Sequence, residues 1–328
     1  MIGLSNYWIF NALKLALRLT VLKGELFKIK ARYFVMLNVN NPFAFSASKM
    51  DKVTPKVNIL LSTYNGARFL QEQLDSLLNQ DYPNISIHIR DDGSTDNTIA
   101  LIQEYQAKYP NVHLDIAKNV GYIRSFYELV YSCEGNDSEL YAFCDQDDVW
   151  NAQKISRGVN SILKSTNPLM TLYFSRMELV DTCLNPIGLS QIPHSFNFVS
   201  GLMGTNAYGC AAIFSYGIRE LFLQGKPADM LSHDWWVYLV ASAFGCIIYD
   251  REPQVKYRQH GSNTNSGYRS ELLTRLKFRT KELLQRLFQN RPIVDFVGQA
   301  EKFLKIYHNL PLEHRLVIEE ARQNIVPA

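Results

Sequence analysis

The sequence predicts an α/β protein with a mostly parallel central sheet and helices on both faces. Between residues 57 and 144, four short apolar strand patterns alternate with amphipathic helical patterns, which is typical of parallel strands joined by helical crossovers. Clusters of acidic or polar residues follow three of those strand patterns. A hydrophobic content of 47% with 20% charged residues over 328 residues is typical of an ordered globular chain.

The elements are regular up to the fourth strand and irregular after it. The first four strands are predicted over residues 57–61, 85–89, 112–116 and 140–144. The helices among them are predicted over 67–78, from 97 to about 107, and over 122–131. A helix over 153–163 then leads to short strands over 170–174, 178–181, 210–214, 246–249 and 255–258. Further helices are predicted over 234–244, 268–290 and about 293–307, followed by a short polar tail.

This pattern predicts one main domain with two extensions. Residues 53–265 form the domain, in which 56–150 and 151–265 are two halves, and residues 266–328 form a basic helical C-terminal extension. Residues 1–52 carry eight Lys or Arg against two acidic residues, a balance of 8 − 2 = +6. Apolar residues at helical spacing there suit a helix lying on an anionic membrane surface, and equally a helix packed on the main domain.

Composition excludes several classes of protein. A net charge of +3 does not indicate nucleic-acid binding. Five scattered cysteines without a Cys-x-x-Cys pair argue for a reducing compartment and against a zinc site or a disulfide framework. No segment has the roughly 18 uninterrupted apolar residues of a spanning helix, and the start of the chain lacks a signal-peptide cleavage site.

The most informative segment is residues 143–150, FCDQDDVW. Asp145, Asp147 and Asp148 follow a buried strand, and carboxylates so close together repel one another unless they hold a hard cation. For an isolated motif, a solvated acidic turn, with Asn151 as the cap of the following helix, is the more common explanation.

Two other polar clusters change that balance. The first is Thr63, Tyr64 and Asn65 after the first strand, and the second is Asp91 and Asp92 after the next strand. The carboxyl ends of parallel strands meet at one edge of a sheet, so all three clusters should converge there. The edge lacks a Gly-x-Gly-x-x-Gly or Gly-Lys-Ser/Thr phosphate loop. The sequence therefore predicts a metal-dependent nucleoside-diphosphate site.

Four motifs in order, ILLSTYNG (59–66), RDDGSTDNT (90–98), KNVG (118–121) and FCDQDDVW, closely resemble those of family 2 glycosyltransferases. The resemblance covers roughly residues 56 to 262. It implies the GT-A fold, with a nucleotide-sugar half over 56–150 and a mixed acceptor half over 151–265. The DQDDVW form and the later HDWW look most like bacterial rhamnosyltransferases of surface-polysaccharide synthesis.

The resemblance implies roles residue by residue. Either Asp91 or Asp92 would accept a hydrogen bond from N3 of a pyrimidine, and Asp145 and Asp147, with His260, would hold Mg²⁺ or Mn²⁺. The predicted nucleotide-sugar contacts are Thr63, Tyr64, Asn65, Asp91, Asp92, Asn119, Gly121, Asp145, Gln146 and Arg258. The predicted acceptor and sugar pocket contains Asp148, Trp150, His233, Trp235 and Trp236. The structural alternatives are capping turns for the acids, a hydrogen-bonded histidine, and core packing for the tryptophans.

Asp234 matches the catalytic base of the family, an Asp at the start of a helix after the metal motif. An inverting transfer needs a carboxylate to deprotonate the acceptor hydroxyl. The alternative is a helix N-terminal charge favoured by the dipole.

The expected function is inverting transfer of a sugar, best guessed as L-rhamnose from dTDP-rhamnose, to a polysaccharide or lipid-linked acceptor. The expected location is cytoplasmic, peripheral on the inner face of the plasma membrane. Two alternatives stay open: a metal-dependent nucleotidyltransferase or phosphohydrolase, and a non-catalytic nucleotide-sugar-binding module of the same fold.

Overall fold

One sheet with helices on both faces forms the body of the molecule in the computed structural model, which describes residues 54–204, 207–260 and 296–325. In chain order, the strands β1 to β9 of these ranges are Lys56–Thr63, Ile85–Asp91, Val112–Ile116, Glu139–Cys144, Val149–Trp150, Thr171–Val180, Pro186–Leu189, Ala212–Ser215 and Cys246–Arg258. The α-helices α1 to α9 are Ala67–Leu78, Thr98–Lys108, Tyr122–Ser132, Lys154–Leu163, Phe198–Met203, Tyr216–Phe222, His233–Phe244, Phe296–Ile306 and Leu312–Ile325.

The sheet has two halves of different character. Its order is β3-β2-β1-β4-β8-β6-β9-β5, with β7 paired to β6. Strands β3, β2, β1 and β4 are mutually parallel, whereas β8 is antiparallel to both β4 and β6. The parallel first half and the mixed second half are those that the sequence predicts.

The apolar core lies on both faces of the sheet because side chains alternate along each strand. On β1, Ile59 and Leu61 belong to the core layer that also holds Leu74 of α1. Leu60 faces the other way, into the layer that contains Phe143 of β4 and Trp236 of α7. Strands β1 and β4, at the centre of the sheet, are buried on both faces and are mostly apolar, as central parallel strands generally are.

Some elements differ from prediction. The predicted strands over 170–174 and 178–181 are one strand, β6, with an irregular register around Arg176, so the polar residues there mark a bulge and not a loop. The predicted strands over 246–249 and 255–258 are likewise joined in β9. The predicted polar tail is wrong: α9 is helical and buries Ile318 despite its charged composition.

The last two helices pack on the domain. Phe303 of α8 contacts Trp236 of α7 with ring centroids 5.3 Å apart, and Tyr307 donates a hydrogen bond to the carbonyl of Leu221 at 2.7 Å. No helix in the described ranges is long and apolar enough to cross a membrane. The N-terminal segment and the predicted helix over 268–290 lie outside the described residues, and the domain boundaries stay predictions.

Candidate active site

A cleft of about 1090 Å³ lies at the carboxyl ends of the parallel strands. The loops that follow β1, β2 and β4 form one wall, and the start of α7 with the end of β9 forms another. The predicted site residues that line it are Tyr64, Asn65, Asp92, Asn119, Gly121, Asp145, Gln146, Asp147, His233, Asp234, Trp235 and His260. Residues from six separate segments therefore share one cavity.

The acidic motif, which consists of Asp145, Asp147 and Asp148, contacts His260 from the C-terminal end of the domain. His260 Nε2 lies 2.7 Å from Asp147 Oδ2, and the imidazole stacks on Phe69 at 5.2 Å between ring centroids. Burial, with the nearby charges of Asp147 and Asp234, raises the pKa of the Asp145 carboxyl. Three carboxylates thus stand close enough to repel one another, although they lie up to 89 residues apart in sequence.

These donors fit a hard divalent cation. Asp145 and Asp147 offer carboxylate oxygens and His260 an imidazole nitrogen, which together suit Mg²⁺ or Mn²⁺. A second group, Asp145, Asp148 and Cys210, has potential ligand atoms within 4.8 Å of one another. Burial raises the pKa of the Cys210 thiol well above its ordinary value. A thiol is also a softer ligand than the oxygen atoms that Mg²⁺ or Mn²⁺ prefers, so the donors that face the cleft fit these cations better than the second group does.

Asp234 is the second residue of helix α7, and its two carboxylate oxygens differ in their hydrogen bonds. Its Oδ1 accepts hydrogen bonds from the Trp235 N–H at 2.8 Å and from the Ser232 hydroxyl. Within the described residues Oδ2 makes no hydrogen bond, and the residue faces the cleft. A carboxylate held this way can accept a proton from a group bound in the cleft.

His233, beside it, is nearly enclosed by aromatic rings. It stacks on Phe126 at 3.9 Å between centroids and meets the edge of Phe143 at 4.7 Å. Burial lowers the pKa of His233 to about 4, so the ring is neutral near pH 7. Neither ring nitrogen has a hydrogen-bond partner in the described part of the chain.

At the other end of the cleft, only the second of the paired aspartates faces the cavity. Asp92 accepts hydrogen bonds from the backbone N–H groups of Val120 and Gly121. Asp91 instead turns inward, where it accepts from the Thr63 hydroxyl at 2.8 Å and the Ser94 N–H at 2.8 Å. Thr63 and Asp91 are predicted to contact the nucleotide, but neither lines the cleft. Their side chains instead hydrogen-bond to each other, and Asp91 also bonds to the turn after β2.

Three predicted contacts in the cleft wall have side chains that hydrogen-bond to the protein backbone. Both amide atoms of Gln146 bond to the main chain of Tyr64. Asn65 has a positive φ of 47°, and its Oδ1 accepts from the Thr95 N–H at 2.8 Å. Asn119 Oδ1 accepts from the Gly121 N–H at 3.2 Å. These side chains shape the loops that carry the site.

Four other predicted residues do not line the cleft. Asp148 is fully buried and accepts from the Arg258 N–H at 3.0 Å. Arg258, 1% exposed, donates to the Asp147 carbonyl at 2.8 Å and to Glu72. It therefore supports the acidic motif from the buried side, away from the cleft. Trp150 is buried beneath the Lys154 ammonium, and Trp236 lies in the core against α8. For both tryptophans core packing, the structural alternative, is what the structure shows.

Several cleft residues carry no signal that the sequence analysis used. They include Arg68 and Phe69 in the first turn of α1, Tyr122 and Phe126 on α3, and Tyr208, Gly209, Leu231 and Tyr257 in the second half. Tyr122 directly follows the predicted Gly121, and Arg68 and Phe69 lie two and three residues after the end of ILLSTYNG. Proximity to a motif is therefore the sequence signal by which these residues could be found. Burial and the charge of Asp234 raise the pKa of the Tyr122 hydroxyl, which places that side chain near the predicted base.

Comparison with known proteins is consistent with this geometry. The profile of the family described as Glycosyl transferase family 2 matches residues 58–187. The dTDP-rhamnosyl transferase RfbG of Shigella flexneri is 30% identical over 219 residues, which cover 62% of this chain and 72% of that protein. An uncharacterized glycosyltransferase of Haemophilus influenzae is 25% identical over 271 residues, 77% of this chain and 81% of that one. The crystal structure of S. aureus TarS in complex with UDP-GlcNAc is 15% identical, with a TM-score of 0.48, covering 82% of this chain and 88% of that one. The chain is a glycosyltransferase with the predicted GT-A architecture, and it belongs to glycosyl transferase family 2.

Proposed function

We propose that this enzyme transfers a sugar from a nucleoside diphosphate to a hydroxyl of a growing cell-surface polysaccharide or lipid-linked glycan, with inversion at the anomeric carbon. The observation that carries the proposal is that Asp92, Asp147 and Asp234 face one cleft. At about 1090 Å³ the cleft is slightly larger than the usual range for small-molecule sites, which suits a donor and part of an acceptor.

The donor's nucleoside would lie at the end of the cleft formed by the loops after β1 and β2. Tyr64 is 48% exposed and offers a ring face on which a base can stack. Asp92 offers a carboxylate that accepts a hydrogen bond from a base N–H. The loop that ends at Gly121 closes this end of the site.

Asp145, Asp147 and His260 would hold Mg²⁺ or Mn²⁺, since all three line the cleft. When bound, the cation neutralises charge on the diphosphate and makes it a better leaving group. Through that cation the three residues would hold the donor's diphosphate in the cleft, and Arg258 holds the Asp147 carbonyl in place by donating a hydrogen bond to it.

Asp234 would act as the base. Its Oδ2 takes the proton of the acceptor hydroxyl while that oxygen bonds to the anomeric carbon and the bond from that carbon to the diphosphate breaks. One displacement inverts the configuration. The Ser232 hydroxyl and the Trp235 N–H hold Oδ1, so the free oxygen keeps its orientation.

The donor best supported is dTDP-rhamnose, because the relative with 30% identity is named a dTDP-rhamnosyl transferase. The test is equilibrium binding of dTDP-rhamnose, UDP-galactose, UDP-glucose and UDP-N-acetylglucosamine, each with Mn²⁺ and with EDTA. We expect metal-dependent binding that is tightest for dTDP-rhamnose. Tightest binding of a UDP-sugar would replace the donor and keep the enzyme class.

A second measurement separates transfer from hydrolysis. The preferred donor is incubated with metal, with and without a lipid-linked glycan acceptor, and sugar 1-phosphate and glycosylated product are quantified. Product that depends on acceptor supports the transferase, whereas equal release of sugar 1-phosphate and nucleoside monophosphate in both reactions supports the phosphohydrolase alternative.

The acceptor class implies work at the cytoplasmic face of the membrane. The sequence supports peripheral binding through its two basic segments, residues 1–52 and 268–290. Sedimentation with vesicles containing 30% phosphatidylserine tests this: we expect the protein to pellet at low salt and to be released at about 0.5 M NaCl. Protein that stays in the supernatant at every salt concentration contradicts it.

A further inference from the structure

Arg90 has no role in the chemistry described so far, yet its guanidinium is buried next to the cleft. It is the last residue but one of β2, beside Ser62 of β1 in the parallel register, and it is 6% exposed. Burying a charge is costly unless the charge is paired and hydrogen-bonded. The partners of Arg90 therefore indicate what the fold gains from it.

Those partners belong to the nucleoside end of the cleft. Arg90 Nη1 donates to Asp92 Oδ1 at 2.5 Å and to Ser125 Oγ at 3.1 Å, and Nη2 donates to the Lys118 carbonyl at 3.3 Å. Ser125 Oγ in turn lies 2.7 Å from the hydroxyl of Ser62, a residue of the cleft wall. One side chain thus joins the end of β1, the loop after β3 and the first turn of α3.

The Asp92 carboxylate therefore accepts hydrogen bonds from three donors. Besides Arg90, the N–H of Val120 donates to both of its oxygens and the N–H of Gly121 donates to Oδ2. A carboxylate has about four acceptor positions, and these three donors leave about one of them for the cleft. Every protein neighbour of this carboxylate is a donor, so it can present only an acceptor to a ligand.

We propose that Arg90 is a positioning residue that makes Asp92 select the nucleobase of the donor. By fixing one acceptor oxygen in the cleft, it favours a base with an N–H at that point, such as uracil or thymine, over cytosine, whose N3 is an acceptor. The inference rests on the proposed function, because it assumes that the cleft binds a nucleoside diphosphate through Asp92.

The test compares UDP with CDP, two nucleotides that differ only at the pyrimidine edge. Their dissociation constants are measured calorimetrically with Mn²⁺ for the parent protein, Arg90→Met and Arg90→Lys. The parent is expected to bind UDP at least about tenfold more tightly than CDP. Arg90→Met should lose most of that ratio, whereas Arg90→Lys, which keeps a cation, should keep most of it with weaker binding of both nucleotides.

The ratio is the readout that a purely structural role would not change. If Arg90→Met weakens UDP and CDP by the same factor, or leaves both unchanged, the inference is overturned. Arg124→Met is the matched control, because Arg124 is an exposed arginine paired with Glu128 on the same helix as Ser125. It should leave both constants within about twofold of the parent values.

A variant that fails to fold does not end the test. Ser125→Ala removes the second anchor of Arg90 with a small change in volume, and a reduced UDP-to-CDP ratio is expected there too; an unchanged ratio counts against the proposal. A parent protein that binds neither UDP nor dTDP contradicts the proposed function. A parent that binds them but shows no preference over CDP contradicts only the role of Asp92 and Arg90.

Discussion

The side-chain amide of Gln146 pairs with the main chain of Tyr64 through two hydrogen bonds. Gln146 Oε1 accepts from the Tyr64 N–H at 2.8 Å, and Nε2 donates to the Tyr64 carbonyl at 3.1 Å. Gln146, which lies between Asp145 and Asp147, therefore holds Tyr64, whose ring is expected to stack on the base. Gly66 is part of this arrangement, since a Cβ there would lie 2.2 Å from Gln146 Oε1.

Gln146→Met should weaken nucleotide binding about tenfold, because two hydrogen bonds that fix Tyr64 are lost while the side-chain volume is kept. Calorimetric titration with UDP or dTDP measures the change. Gln153→Met, at an exposed glutamine, is the control and should behave as the parent. Unchanged affinity in Gln146→Met would show that Tyr64 is not positioned by this pair.

Asp234→Asn should lower kcat about 10²- to 10⁴-fold, the range usual for loss of a general base, with donor affinity within about threefold of the parent. The cause is that an amide cannot take the acceptor proton, whereas the hydrogen bonds to its Oδ1 remain available. Steady-state transfer rates and donor titration check it. Asp229→Asn, in the turn before the same helix, is the control. Turnover within about threefold of the parent in Asp234→Asn would remove Asp234 as the base.

Asp147→Asn and His260→Ala should each weaken Mn²⁺ binding by at least about tenfold, since each removes a donor from the cleft-facing set. Electron paramagnetic resonance of free Mn²⁺ reports binding without any need for turnover. Asp115→Asn, an exposed carboxylate on β3 away from the cleft, should not change the titration. Equal Mn²⁺ affinity in all four proteins would place the metal elsewhere, with the group of Asp145, Asp148 and Cys210 as the next candidate.

His88 should make the protein less stable as the pH falls from about 6.5 to about 4. Burial, with the charges of His113 and Lys56, lowers the pKa of His88 to about 4. The pKa of His88 is lower in the folded protein than in the unfolded chain, so the unfolded chain binds an extra proton between these two values. The free energy of unfolding therefore falls as the pH decreases through that window and has its full value above it. Urea unfolding at several pH values should show a shallower pH dependence for His88→Gln. The difference between the two proteins cannot exceed about 1.4 kcal/mol per pH unit, the limit for one proton. Parallel curves would contradict it.

The sequence predicts the convergence of the acidic clusters, because parallel strands end at one edge, but not which side chain of each cluster faces the ligand. Neighbouring residues at the end of a strand point to opposite sides. Asp91 consequently faces the turn and Asp92 the cleft, and either was possible from the motif. The same applies on α7, where successive residues are about 100° apart: Trp235 lines the cleft and Trp236 enters the core.

Other features depend on contacts between segments far apart in the chain. Arg258 is predicted to contact the nucleotide-sugar, but its position in the β9 register directs it to the backbone of Asp147, away from the cleft. Likewise, the charged composition of 312–325 suggested a tail, and burial of Ile318 is what makes it a helix of the domain. Neither contact has a local pattern from which it could be predicted.

Helix α8 reaches the segment that leads into Asp234. Gln299 accepts a hydrogen bond from the Leu231 N–H at 3.0 Å, and Lys302 donates to the Ala228 carbonyl at 2.9 Å. Helix α8 thus supports the segment that precedes Asp234, the residue expected to accept the proton. A chain that ends at residue 265 would retain every residue of the acidic motif and still leave that support missing, with Trp236 uncovered on the same helix as Asp234. Substitutions between residues 296 and 310, which are remote from the cleft, can therefore change the turnover rate and leave donor affinity the same.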